Sequence, residues 1–216
     1  MLKSIVIAVF IWFGCNPLYA QGEAEAKVKA RSKFSELIDK ITFSRLEIDE
    51  SEKAVFRSGT DEYVEFFPAT ITDLKTGEVV QGLKIVTAYD LNDELGIGSL
   101  GNALLNTGKG NVRMVETGFM DVSEIEQLVY FFEQYVNPNL SIELAKKNTV
   151  IYEFKSAEII IRLLIERESG KTKETLAVLM TNRPYYDKYF WTRSQVSKTA
   201  EVVKVLKYIL AKAKTK

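Results

Sequence analysis

Residues 157–166 read AEIIIRLLIE. Ile159, Ile161, Leu163 and Ile165 fall on one side of an alternating pattern, and Ile160, Arg162, Leu164 and Glu166 on the other. An extended strand turns successive side chains to opposite faces, so this pattern predicts a strand with one apolar face. Ser169-Gly170-Lys171 turns the chain, and residues 174–180 and 185–192 continue the sheet. Residues 149–154 supply a strand before it. Residues 197–213 then read as a helix with Val202, Val205, Leu206, Ile209 and Leu210 facing in.

The same order occurs earlier in the chain. Phe43 to Ile48 is a short strand, followed by the acidic turn Asp49-Glu50-Ser51-Glu52. Residues 63–72 form a richer strand, in which Pro68 signals an edge or a bulge. Residues 73–78 make a hairpin turn with Gly77 available for positive φ, and 79–89 and 112–119 follow as strands. Asp121 and Glu124 have capping-box spacing, with Met120 and Ile125 placed as a hydrophobic staple. Ile125, Leu128, Val129, Phe132 and Val136 form the helical stripe, and Asn137-Pro138-Asn139 stops it.

Runs of strands closed by helices indicate α+β and not a parallel βαβ sheet. The expectation is antiparallel sheets, each covered by a helix, in two similar strands-then-helix modules at 42–139 and 148–214. The repeat is one of pattern and not of residue identity, and the two halves can equally form one compact domain. Residues 21–41 precede them as an amphipathic helix with Ala30, Phe34, Leu37, Ile38 and Ile41 on one side. Docking on the body is the simple reading of that helix; its lysines also allow a membrane surface.

Residues 1–20 read as a secretory signal peptide. Lys3 opens it, SIVIAVFIWFG at 4–14 is the apolar core, and Leu18-Tyr19-Ala20 precedes the cut. That core is short for a span, which needs about 20 apolar residues. The alternatives are a lipoprotein anchored at Cys15 and an uncleaved anchor. Cleavage after Ala20 removes the only cysteine, leaving a chain suited to an oxidising periplasm or medium but without a disulfide. The rest of the chain holds no second run long enough to cross a membrane.

Composition removes several chemistries. The 216 residues include no His, so the usual Ser-His or Cys-His machinery and imidazole metal ligands are absent. The 29 basic and 29 acidic residues cancel, so no global field attracts nucleic acid. Carboxylate, Ser/Lys and tyrosine chemistry remain, with hard cations held by oxygen.

Four local patterns are candidates for function. Gly96-Ile97-Gly98-Ser99-Leu100-Gly101 matches a dinucleotide fingerprint, but Gly108 and Gly110 interrupt any helix after it and no βαβ unit surrounds it. Asp90, Asn92 and Glu94 alternate as weak calcium candidates, although Leu95 and Gly101 occupy the wrong EF-hand positions. Tyr185, Tyr186, Tyr189, Phe190 and Trp191 are candidates for a ligand or partner surface, with Phe190 and Tyr186 alternating against the other three. The last helix is basic, with Lys198, Lys204, Lys207, Lys212, Lys214 and Lys216 against Glu201.

These features favour a secreted or periplasmic, non-enzymatic binding protein for a protein, peptide or glycan. They imply no cofactor, no nucleic acid and no membrane span after leader removal. The alternatives are a hydrolase using carboxylate or Ser/Lys chemistry, and a calcium-dependent or envelope-associated structural module. Expression in the native host with the leader intact should give a mature mass beginning at Gln21. A mass beginning at residue 1, or at a lipidated Cys15, would overturn the cleavage reading.

Overall fold

The computed structural model describes residues 31–58, 61–90, 113–144, 148–181 and 189–215. Chain order is α1 (Lys33–Lys40), β1 (Ser44–Ile48), β2 (Ala54–Arg57), β3 (Tyr63–Asp73), β4 (Val79–Asp90), β5 (Arg113–Asp121) and α2 (Val122–Phe131). Then come β6 (Thr149–Lys155), β7 (Ile159–Glu168), β8 (Lys171–Met180), β9 (Phe190–Thr192) and α3 (Thr199–Lys214). The fold is α+β, with two antiparallel sheets and, among the described residues, three α-helices. None of these helices is long and apolar enough to cross a membrane. The leader, the fingerprint glycines, Asn92, Glu94, Tyr185 and Tyr186 lie outside the described residues, and Asp90 closes β4.

The first sheet has the order β1-β3-β4-β5, and β2 joins β3 on the same side as β1. β1 pairs with 69–73 of β3 and β2 with 63–66, so the acidic turn interrupts what is otherwise one edge. Pro68 falls opposite that interruption. The Asp49 amide donates to the Pro68 carbonyl at 3.0 Å, so the backbone edge of Pro68 points toward the break and not toward β4. A residue without an N–H therefore sits inside the sheet without removing a β3–β4 bond. The short strand β2 is the element that the sequence pattern did not mark.

The second sheet runs β6-β7-β8-β9. Its inner face carries Ile159, Ile161, Leu163 and Ile165 of β7 with Leu176 and Val178 of β8, all buried. The first sheet contributes Phe56, Val64, Phe66, Leu83, Ile85 and Met120 to the same continuous core. Ile125, Leu128 and Phe132 at the end of α2, with Val202, Leu206 and Ile209 of α3, join it too. α3 follows the second sheet in sequence, yet it lies against β2, β3 and β4 of the first and against α2.

α1 covers part of the opposite face of the first sheet. Phe34 is fully buried there, packed with Ala69 and Ile71 and stacked on Phe119 at 5.6 Å between ring centroids. Gly82 makes that approach possible: a Cβ at this position would lie 2.4 Å from Phe34 Cδ2. Gly82→Ala is expected to destabilise the protein by about 1–3 kcal/mol, because the whole helix must lift. Urea unfolding measures this; unchanged stability would mean that α1 does not hold its place on β4.

Candidate functional site

α2 begins as the sequence predicts. Asp121 accepts from the Ser123 and Glu124 amides, and the Glu124 carboxylate accepts from the Asp121 amide at 3.0 Å. The helix then departs from regular α geometry. Phe132–Val136 form a π-turn, in which the Asn137 amide donates to the Phe132 carbonyl five residues back. In an α-helix, residues five apart lie about 140° apart around the axis. The wider turn brings Tyr130 and Tyr135 together instead, with ring centroids 6.0 Å apart.

Those rings open a cleft of about 440 Å³, lined by Glu126, Gln127, Tyr130, Phe131, Tyr135 and Phe154. One wall is α2 and its π-turn; the other is β6. Phe131 packs on Phe154 at 5.8 Å, and Tyr135 stacks on Tyr152 at 6.3 Å. Tyr130 remains 59 % exposed and Tyr135 44 % exposed. Large aromatic rings held open by packing on their inner edges are suited to recognition, since little rotamer freedom remains to be lost. π-turns are over-represented at such places.

The alternation of residues 189–192 sorts the aromatics proposed from sequence. Phe190 is fully buried in the core, so its ring is not surface, whereas Tyr189 and Trp191 are exposed. Trp191 lies across from Ala177, with the Arg193 guanidinium 5.8 Å from its ring. These two residues sit at the β9 side of the second sheet, on the far edge from β6. Sequence reading missed the groove because it extended one regular helix through Val136. The available signal was the density of Tyr130, Phe131, Phe132 and Tyr135, more rings than one buried stripe can absorb.

The carboxylates that converge inside the molecule are tied to backbone. Glu158 is 4 % exposed, and its Oε1 accepts from the Ser32 amide at 2.9 Å and the Ser32 hydroxyl at 3.0 Å. Its Oε2 accepts from the Phe119 amide at 3.0 Å. One side chain thus joins the cap of α1, strand β5 and the start of β7. Glu124 adds a bond from the Ala157 amide at 2.9 Å. Burial pushes the Glu124 carboxyl above its usual range, and the neighbouring Asp121 and Glu158 charges add to this. Burial opposes ionisation of Asp121 as well, but its Ser123 and Glu124 donors win and hold it below the usual value.

Asp49, in the acidic turn, fastens the same body to α3. It accepts from the Ser51 hydroxyl at 2.6 Å and from the Tyr208 hydroxyl at 2.9 Å, with Lys212 at 3.3 Å. These donors, that of Ser51 foremost, hold its carboxyl at about 2. Lys207 of the basic helix likewise pairs with Glu133 at 2.6 Å. A larger cleft of about 740 Å³ lies by the β7–β8 turn, with Arg167, Lys171, Glu174 and Arg193 among its lining. Its polar groups fasten neighbouring chain: Arg167 donates to the Leu144 carbonyl, Glu174 accepts from the Ser141 amide, and Arg193 pairs with Glu166. No cluster of three metal-ligating side chains occurs among the described residues.

No family model, no curated protein and no solved structure matches this chain.

The folded pKa of Asp49 lies below its unfolded value. Its stabilisation is therefore present above 3.8 and lost as the pH falls through about 2. Asp49→Asn should melt lower than wild type at neutral pH, and its melting temperature should fall less steeply across that acid window. Equal slopes for the two proteins would show that the Asp49 contacts contribute nothing.

Proposed function

We propose that this protein acts by binding and not by catalysis, as an exported α+β module for a protein, peptide or glycan ligand. The observation that carries the reading is the half-open aromatic groove of Tyr130, Phe131, Tyr135 and Phe154. Two exposed rings, Tyr130 and Tyr135, above a floor of Phe131 and Phe154 offer stacking faces for sugar rings or apolar side chains, and Gln127 and Glu126 supply polar contacts at the rim. The acidic groups that meet inside the fold are occupied by backbone donors. That arrangement favours a structural role for them over a hydrolytic one. The proposal of export rests on the leader-like residues 1–20 and on a remainder without cysteine.

Glycan and peptide arrays probed with the purified protein test this. Signal on one class is expected, and Tyr130→Ala with Tyr135→Ala should cost about 2 kcal/mol of binding, roughly thirtyfold, in protein that circular dichroism shows to be still folded. Arrays without signal, or signal indifferent to both substitutions, would refute the reading.

A further inference from the structure

We propose that the groove takes an extended polypeptide segment of a partner, which adds a strand to the free edge of β6. This rests on the binding reading and narrows it to one ligand class. β6 is an edge strand, paired with β7 alone among the described residues.

The hydrogen-bond phase of β6 is fixed at both ends. The Ser156 amide donates to the Ile159 carbonyl, and the Arg167 amide donates to the Asn148 carbonyl. Antiparallel pairs alternate between bonded and non-bonded. Val150, Tyr152 and Phe154 therefore direct their main-chain groups to β7. Thr149, Ile151, Glu153 and Lys155 direct theirs away from the sheet. Ile151 is 55 % exposed, and Thr149 and Lys155 are exposed as well. Four residues thus offer a row of donors and acceptors that only another polypeptide main chain can match in spacing.

The edge is poorly guarded. TVIYEFK is seven residues long and contains no Pro, and its outward charges, Glu153 and Lys155, are paired with one another at 2.8 Å. Edges left open to water are usually blocked by such residues or by a covering element. The other outer strands differ: β9 has three residues, β2 four and β1 five, and β5 carries Gly118 and has its Phe119 amide taken up by Glu158.

The groove lies beside this edge. Its strand wall is Phe154 of β6, with no residue of β7, and its helix wall is the exposed side of α2. A strand added to β6 would run about 4.8 Å away. Every second side chain would then turn toward Tyr130, Phe131 and Tyr135. Glu126 stands at the rim without an ion-pair partner among the described residues. The segment that fits is extended, carries large apolar or aromatic residues at alternate positions, and has Lys or Arg at its flank.

Fluorescence anisotropy tests this with labelled nonapeptides bearing Phe or Tyr at every second position, Thr between them and Lys at each end. Saturable binding is expected. Peptides N-methylated at alternate residues should divide by phase, one phase binding normally and the other at least tenfold more weakly. Ile151→Pro removes one outward N–H and no β6–β7 bond; it should also weaken binding at least tenfold, and Glu126→Gln more modestly. The N-methylated peptides use the unaltered protein, so the test stands even if Ile151→Pro fails to fold. Binding indifferent to N-methylation in both phases and to Ile151→Pro would overturn strand addition while leaving the groove a binding site. Glycan binding without peptide binding would do the same. Self-association abolished by Ile151→Pro would assign the edge to a second copy of the chain and overturn the partner. No binding of either class would end both readings.

Discussion

Burial of one row of side chains, Ile159, Ile161, Leu163 and Ile165, fixes most of what this molecule presents to its surroundings. The row is fully or almost fully removed from water. At roughly 25 cal/mol per Å² of apolar surface, four such residues contribute several kcal/mol to holding β7 in one phase. A one-residue slip would send all four to the opposite face. Because β7 cannot slip, neither can its neighbour. The register places Val150, Tyr152 and Phe154 of β6 inward, opposite Ile165, Leu163 and Ile161. The rings of Tyr152 and Phe154 then stand under the π-turn, and the intervening residues of β6 face out.

The residue just before this strand does a second job. Glu158 sends its carboxylate toward β5 and the cap of α1, away from the apolar row. Its position resembles that of the acidic member of a capping box, but it reaches the α1 cap from the other half of the chain. An unpaired buried carboxylate is costly, and three N–H and O–H donors offset that cost. The result is a fold without a cysteine in its described residues, joined by one shared core and a few charged ties such as Glu158 and Asp49.

Much of the architecture was legible in the sequence, because strand alternation and capping chemistry are local. The hairpin turns were marked by Gly77 and Gly170, both at positive φ, and the α2 capping box by Asp121 and Glu124. The placement of α3 against the first sheet was not legible, since its apolar arc is the same whichever sheet it meets. That Phe190 and Trp191 have opposite fates follows from alternation alone, but which of the two met the core needed tertiary structure. The groove was least legible. It depends on a π-turn, and periodicity near 3.6 does not disclose a single turn with one extra residue.

β6 has one committed side, hydrogen-bonded to β7, and one free side among the described residues. Amide hydrogen exchange by NMR on the isolated protein reads this residue by residue. Strong protection is expected at Val150, Tyr152 and Phe154, alternating with rapid exchange at Thr149, Ile151, Glu153 and Lys155. Uniform protection along β6 would mean that the edge is already paired, and uniform rapid exchange that β6 is not held in the sheet; either result would rule out a strand with one free side.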